Sequence, residues 1–225
     1  MRILILYTEL AGYVLSSFRH FIAHHPESEF LIVHFPVNPE APFVIDKIPH
    51  TSFIQYDQAN WHGIKQELNL FNPDVIITSG WINKNYIDYI KKTKKTIKKV
   101  IIIDNHWNAN FKQLFFSIIS NLKLTFLRHF SHAWVPGKPQ KLYAQKLGFK
   151  DTKIIEGFYV ADTDLFLKTG ALKLKNKGAF PKIILSVARY IPPKRFANFM
   201  QSFYQCKSKK WQSMAIALHR TRSFI

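Results

Sequence analysis

Cysteine occurs once in this chain, at Cys206. That excludes an internal disulfide framework and a metal site built from several thiolates, and it fits a reducing compartment, with the cytoplasm as the expectation. Long apolar runs are missing too. The stretch Ile3–Leu6 is broken at Thr8 and Glu9 before the apolar segment of an export signal could develop, and no run reaches the roughly 18 residues that a bilayer span requires. Acidic residues are scarce, 14 against 32 Lys and Arg, which leaves a formal net charge of +18. Such a surface attracts nucleic acid, anionic membrane or phosphorylated substrates without choosing among them. The lysine runs Lys91, Lys92, Lys94, Lys95, Lys98, Lys99 and Lys173, Lys175, Lys177 lie between apolar segments, where a solvated helix end or a linker also explains them.

Several catalytic signatures are absent. No G-x-G-x-x-G follows the first apolar segment, so the dinucleotide fingerprint of hydride-transfer enzymes is not there. No G-x-S-x-G elbow accompanies the histidines, which leaves a serine hydrolase unsupported. His24 and His25 precede Pro26 at a helix end, a place where helix-dipole or solvent contacts account for them. Asp104 and His106 lack a third ligand nearby, so no metal is expected.

What is present is core material: 47% of residues are apolar and 20 are Phe, enough for a packed globular protein. Short runs rich in Ile and Val alternate with longer amphipathic stretches, the pattern of a parallel sheet wound with helices. Strands are expected near Arg2–Tyr7, Glu29–Phe35, Ser52–Tyr56, Asp74–Thr78, Lys99–Asp104, His132–Val135 and Lys153–Gly157. Helices are expected at Leu15–His25, Asn60–Leu70, Lys84–Thr93, Asn110–Leu122 and Pro139–Leu147. Pro139 suits a first helical turn and Gly148 a C-terminal cap.

These elements make an N-terminal Rossmann-like domain over residues 1–165. Residues 166–180, with Gly170, Gly178 and their lysines and no sustained period, read as a linker. Residues 181–225 open a second domain with one apolar strand, Lys182–Arg189, a proline loop and a helix-like run from Lys194 to Cys206. So short a segment is expected to be an incomplete domain.

In an open parallel sheet, ligands gather beyond the carboxyl ends of the strands. The segments Thr8–Tyr13, Ser79–Trp81 and Asp104–Trp107 should open on that rim. Gly12 and Gly80 would admit a substrate close to the backbone, while Trp81 and Trp107 offer flat apolar faces for sugar rings. Asp104, Asn105, His106 and Trp107 crowd polar and aromatic chemistry after one strand. The alternative is that Asp104 or Asn105 caps the next helix and His106 is a loop residue. In the second segment, Arg189 and Lys194 flank a proline turn, and two cations at a helix N-terminus can hold a diphosphate and stabilise its charge as it leaves.

Three segments then carry a family likeness: Ile184–Phe196 (ILSVARYIPPKRF), Ala133–Phe149 (AWVPGKPQKLYAQKLGF), and Glu156-Gly157 with Asp162, Asp164 and Phe166. Over about residues 1–206 the chain resembles the family 4 glycosyltransferases of bacterial lipopolysaccharide, capsule and exopolysaccharide assembly, retaining enzymes built from two facing Rossmann-like domains, the GT-B architecture. The resemblance implies transfer of a sugar from a UDP- or GDP-sugar donor to a saccharide or lipid-linked acceptor, without metal or cofactor. It places Gly12, Tyr13, Gly80, Trp81 and Trp107 on the acceptor side, and Asp104 and His106 at the reaction centre. Arg189 and Lys194 would contact the donor diphosphate, with Arg195 the less well matched neighbour of Lys194. The family's E-x7-E segment, base pocket and further strands have no counterpart in residues 207–225, so transfer by this chain is expected to be impaired.

A different class of function stays open beside it, a basic module held to anionic membrane or acidic polymer at the inner face of the cell membrane. Residues 112–128 combine apolar and basic positions as an interfacial helix can, or form a helix packed on the sheet. No nucleic-acid reading motif accompanies the charge, so only generic, salt-sensitive attraction to nucleic acid is expected.

Overall fold

Strands buried on both faces need apolar residues at every position rather than at alternate ones, and the Ile- and Val-rich runs of this chain form seven of them. They are β1 (Arg2–Tyr7), β2 (Glu29–His34), β3 (Thr51–Gln55), β4 (Val75–Thr78), β5 (Lys98–Ile102), β6 (His132–Val135) and β7 (Ile154–Glu156). The computed structural model describes residues 1–39, 44–159, 161, 163–175, 198, 201 and 202. The chain divides into two units, Met1–Asp162 and Thr163–Ile225, and the sheet belongs to the first.

All strand pairs are parallel, in the order β3-β2-β1-β4-β5-β6-β7. The chain thus builds outward from β1 through β2 to β3, then returns to the other side of β1 and builds outward again. Leu4 lies between Leu31 and Ile76, and Ile5 between Ile32 and Ile77. Alternate residues face opposite layers. Leu4, Leu6, Val33, Ile76 and Ile101 pack with α2 (Trp61–Phe71), α3 (Lys84–Lys92) and α5 (Lys138–Lys146). Ile3, Ile5, Tyr7 and Ile32 pack with α1 (Gly12–Ala23) through Val14, Leu15, Phe18 and Ile22.

Local chemistry sets the helix ends. Asn83 accepts a hydrogen bond from the Tyr86 amide at the start of α3, and α2 ends on Asn72 at φ 46°, just before Pro73. Pro139 sits in the first turn of α5, and Gly148 follows that helix at φ 94°, a left-handed position that favours glycine. Helix α4 (Phe111–Asn121) is capped by Asn110, whose side chain accepts from the Gln113 amide. Asp104 and Asn105 therefore do not cap it.

Two further differences from expectation stand out. Helix α1 begins at Gly12 rather than Leu15, so Gly12 and Tyr13 form its first turn. Residues 166–175, assigned to the linker by composition, belong to a helix, α6 (Thr163–Lys175). The strand expected at Lys182–Arg189 and the residues Arg189 and Lys194 lie outside the described residues.

The layer over α2 and α3 holds a buried defect. Tyr86 packs edge-on against Tyr56 with ring centroids 5.4 Å apart, and close to Trp61 at 5.9 Å. Its hydroxyl is buried with no hydrogen-bond partner among the described residues, and burial raises its pKa. Because an unsatisfied buried hydroxyl costs about 1–3 kcal/mol, Tyr86→Phe should raise the unfolding free energy by about 1 kcal/mol. Urea unfolding measures this, and a lower midpoint would show that the hydroxyl is satisfied.

Lys99 is a second anomaly, a lysine only 4% exposed within a parallel strand. Its Nζ donates to the Thr93 carbonyl at 3.1 Å, and burial lowers its pKa. Between that lowered value and the ordinary lysine value, the unfolded chain binds the proton more tightly than the folded one, so Lys99 makes stability rise with pH there. Lys99→Met should remove this contribution. Thermal unfolding of both proteins at pH 7 and near pH 10 should show a smaller gain with pH for the variant, and equal gains would refute the assignment.

Candidate functional site

The winding direction reverses at β1, which sets the carboxyl ends of β1 and β4 side by side, the switch point at which open α/β sheets hold ligands in a crevice. Short polar side chains tie its two lips together. The Thr8 amide donates to Ser79 Oγ at 2.9 Å, and the two hydroxyls lie 3.1 Å apart. The Ser79 amide donates to the Leu6 carbonyl at 3.0 Å, extending the ladder one residue past β4. Gly80 then turns away at φ 73°. A Cβ there would meet only the Ile102 carbonyl at 3.9 Å, so backbone conformation rather than crowding calls for glycine.

On the α1 side of the rim, three tyrosines and an aspartate converge. The Tyr7 hydroxyl donates to that of Tyr159 at 3.4 Å, which donates to Asp104 Oδ2 at 3.5 Å. Tyr13, in the first turn of α1, meets the Tyr159 ring edge-on at 5.6 Å between centroids. Tyr159 reaches this place because β7 ends in a tight turn. The amides of Gly157 and Phe158 both donate to the Val135 carbonyl, Phe158 is buried against Trp134 with centroids 4.7 Å apart, and Gly157 and Tyr159 adopt φ of 102° and 63°.

Burial and neighbouring charge move the pKa values of these phenols above the ordinary tyrosine value. Burial and then the Tyr159 hydrogen bond push the Tyr7 pKa far up. Burial, followed by the charges of Asp104 and Glu9, raises that of Tyr13. Burial raises Tyr159, against the opposing hydrogen bond from Tyr7 and with help from the Asp104 charge. The cluster is therefore a directional chain of hydroxyls that orients the Asp104 carboxylate, with Tyr13 half exposed beside it. Gly12 adjoins it, and a Cβ on Gly12 would meet nothing within 4 Å, so the space above the start of α1 is open.

On the other side of the rim, Gln113 organises the loop after β5. Its side chain accepts from the Asn108 amide at 2.7 Å and donates to the His106 carbonyl at 3.0 Å. His106 is exposed, and this tie runs through its backbone. Trp81 packs on Phe116 and Phe126 with centroids 5.9 and 6.0 Å apart, and Trp107 on Tyr143 at 5.9 Å. Both indoles are part of the core boundary.

The structure thus brings Gly12, Tyr13 and Asp104 to one place, with Gly80 on the crevice lip, and directs Trp81 and Trp107 into packing. Tyr7, Tyr159 and Gln113 escaped the sequence reading. For the two tyrosines a signal existed, since each stands at or just beyond the carboxyl end of a strand. Among the described residues no group of three or more His, Cys, Asp or Glu side chains could hold a metal ion.

The crevice geometry is testable through stability. Ser79→Ala should cost about 0.5–1.5 kcal/mol by removing the acceptor of the Thr8 amide, and Gly80→Ala about 1–2 kcal/mol through its left-handed backbone. Urea unfolding of each variant measures both, and an unchanged Gly80→Ala protein would contradict the assigned turn.

No family model matches the chain, and no curated protein matches it in sequence. Solved structures do match. UDP-GlcNAc 2-epimerase from Neisseria meningitidis, bound to UDP-GlcNAc, aligns with a TM-score of 0.53 at 16% identity, over 97% of this chain and 66% of the epimerase. Anabaena HepE in complex with UDP-glucose aligns with a TM-score of 0.58 at 13% identity, over 96% of this chain and 59% of HepE. A putative UDP-N-acetylglucosamine 2-epimerase from Listeria monocytogenes gives 0.52 at 14%, over 96% and 62%. The chain spans less than two thirds of the length of each of these proteins, and what it shares with them is the fold: a Rossmann-like α/β arrangement on a parallel sheet, of the GT-B kind.

Proposed function

We propose that this chain is of the nucleotide-sugar glycosyltransferase type, its sheet domain forming the acceptor side and the segment after residue 180 the donor side. The reaction we assign is transfer of a sugar from a UDP- or GDP-sugar to a saccharide or lipid-linked acceptor, with retention and without a metal, in the manner of the family 4 enzymes of bacterial polysaccharide assembly. The observation that carries the reading is the donor chain Tyr7–Tyr159–Asp104 with Tyr13, set on the rim beside the crevice where strand order reverses. The half-exposed Tyr13 phenol and the exposed Asp104 carboxylate, which Tyr159 orients, suit a polyhydroxylated ring. The shared fold supports the reading, since two of the matching structures hold UDP-GlcNAc and UDP-glucose.

In this reading Asp104 and Tyr13 orient the acceptor, and His106 lies at the edge of the reaction centre. Arg189 and Lys194 hold the donor diphosphate and stabilise the leaving charge, which supplies the electrophilic assistance that a metal provides elsewhere. The transferring sugar departs from the nucleoside diphosphate and is captured by an acceptor hydroxyl, whose proton leaves with the products.

Calorimetric titration of the 225-residue chain with UDP, GDP and their common sugar conjugates tests the donor half. One nucleotide series should bind, and Arg189→Ala or Lys194→Ala should each weaken it by about tenfold to a hundredfold, as expected for loss of a charge-assisted contact. Absence of binding by a folded chain, or binding indifferent to both changes, would overturn the assignment. Incubation with the bound conjugate and candidate acceptors should yield a glycoside. Conversion of the sugar with no acceptor consumed would instead mark an epimerase.

A further inference from the structure

Helix α4 leaves most of its large apolar side chains in solvent, against the usual rule for a surface helix. Its protein-facing side is mixed: Phe116 packs on Trp81 and Phe126, while Ser117 Oγ donates to the Lys146 carbonyl at 2.5 Å, Ser120 Oγ to the Leu147 carbonyl at 2.8 Å, and Asn121 Nδ2 to the Lys146 carbonyl at 2.8 Å. These side chains satisfy carbonyls at the end of α5 that would otherwise lack partners. The outward side is apolar. Phe111, Leu114, Phe115, Ile118 and Leu122 follow helical spacing along one stripe, and each is between 48% and 81% exposed. Scattered surface leucines need no explanation, but a contiguous apolar stripe marks an interaction surface.

At the C-terminal end of the stripe lies a cleft of about 200 Å³ whose lining includes Lys123, Arg128, Lys150 and Lys153 together with Ser120 and Ser131. Between Asp104 and Asp151 the chain contains no acidic residue. Asp151 itself accepts from Gln145 Nε2 and lies 3.9 Å from Lys141 Nζ. An occupant of this surface must be apolar along α4 and anionic at its end. A bilayer with acidic headgroups supplies both chemistries. Nucleic acid supplies only the charge, and a second copy of this chain would bring its own net charge of +18 against the same sign.

We propose that α4 lies in the interface of an anionic lipid bilayer, its apolar stripe among the acyl chains and the Lys123/Arg128/Lys150/Lys153 cleft holding a headgroup phosphate. The proposal is independent of donor binding, because its readout is attachment to vesicles. Among the described residues no helix is long and apolar enough to cross a membrane, so attachment is peripheral.

Sedimentation of the full chain with phosphatidylcholine vesicles, with and without phosphatidylglycerol, provides the test. Binding should require the anionic lipid and fall at least about tenfold in a Phe115→Ser/Ile118→Ser variant and in a Lys123→Glu/Arg128→Glu variant, each worth a fold-change of about 1.4 kcal/mol or more. Both pairs are exposed, and circular dichroism should show an unchanged fold. Raising salt from about 0.1 to about 1 M, which shortens the screening length from roughly 10 to roughly 3 Å, should weaken the wild-type interaction without abolishing it. Equal binding by the Phe115→Ser/Ile118→Ser variant would mean diffuse charge attraction and overturn the proposal. So would equal binding to neutral vesicles. Self-association, or duplex DNA binding, that this variant abolishes while vesicles are not bound would assign the surface to another partner. Stabilisation by inorganic phosphate that Lys123→Glu/Arg128→Glu removes, with vesicle binding unchanged, would make the cleft a free-phosphate site.

Discussion

Burial of β1 on both faces is the constraint from which the rest of the domain follows. From Ile3 to Tyr7 every side chain is buried, so the strand must be flanked by β2 and β4 and covered by helices on each side. Each large apolar side chain fully removed from water contributes about 1.5–3 kcal/mol, whereas the Thr8–Ser79 bond contributes about 1 kcal/mol net. Packing therefore decides where the crevice lies. The polar contacts at its lips refine its shape, since they join residues that the pairing of β1 with β4 brings side by side.

That division explains why the sheet was legible in the sequence. Strands with two buried faces leave unbroken runs such as Ile3-Leu4-Ile5-Leu6 and Val75-Ile76-Ile77, and all seven strands and the first five helices lie where such runs and amphipathic stretches place them. The boundaries shift by a few residues for local reasons. Strand β5 ends at Ile102 although Ile103 is buried and still donates to the Trp134 carbonyl, because the polar segment beginning at Asp104 departs from the sheet. Helix α6 escaped detection because Gly170 and its lysines gave that segment the composition of a linker, and its Phe166 and Leu167 are exposed.

The site was legible only in part, because its contacts are non-local. Asp104 and Tyr13 stand out by position after a strand and before a helix. Nothing local links Tyr7 to Tyr159, which are separated by 152 positions and meet only once β7 has added to the sheet beyond β6. Aromatic residues near the rim are equally ambiguous by sequence. Trp81 and Trp107 serve the core because Phe116, Phe126 and Tyr143 lie within reach, and those neighbours come from later segments. Tyr13 keeps half its surface in the first turn of α1, where a Cβ on the adjoining Gly12 would meet nothing within 4 Å.

Helix α4 connects the two surfaces that the fold leaves unpaired. Its first turn holds Gln113, which fixes the loop carrying Asp104 and His106 to the helix through His106 and Asn108. Its last turn reaches the basic cleft. A rigid helix of eleven residues spans about 16 Å at 1.5 Å per residue, so a boundary that held the exposed stripe would also hold the rim within a short distance of itself. The inner face makes this arrangement possible, since Phe116 packs there on Trp81 and Phe126 beside three polar anchors. With Ser117, Ser120 and Asn121 anchoring the helix through hydrogen bonds, the domain does not need the outer apolar side chains for its own cohesion, and they are free to face an apolar phase.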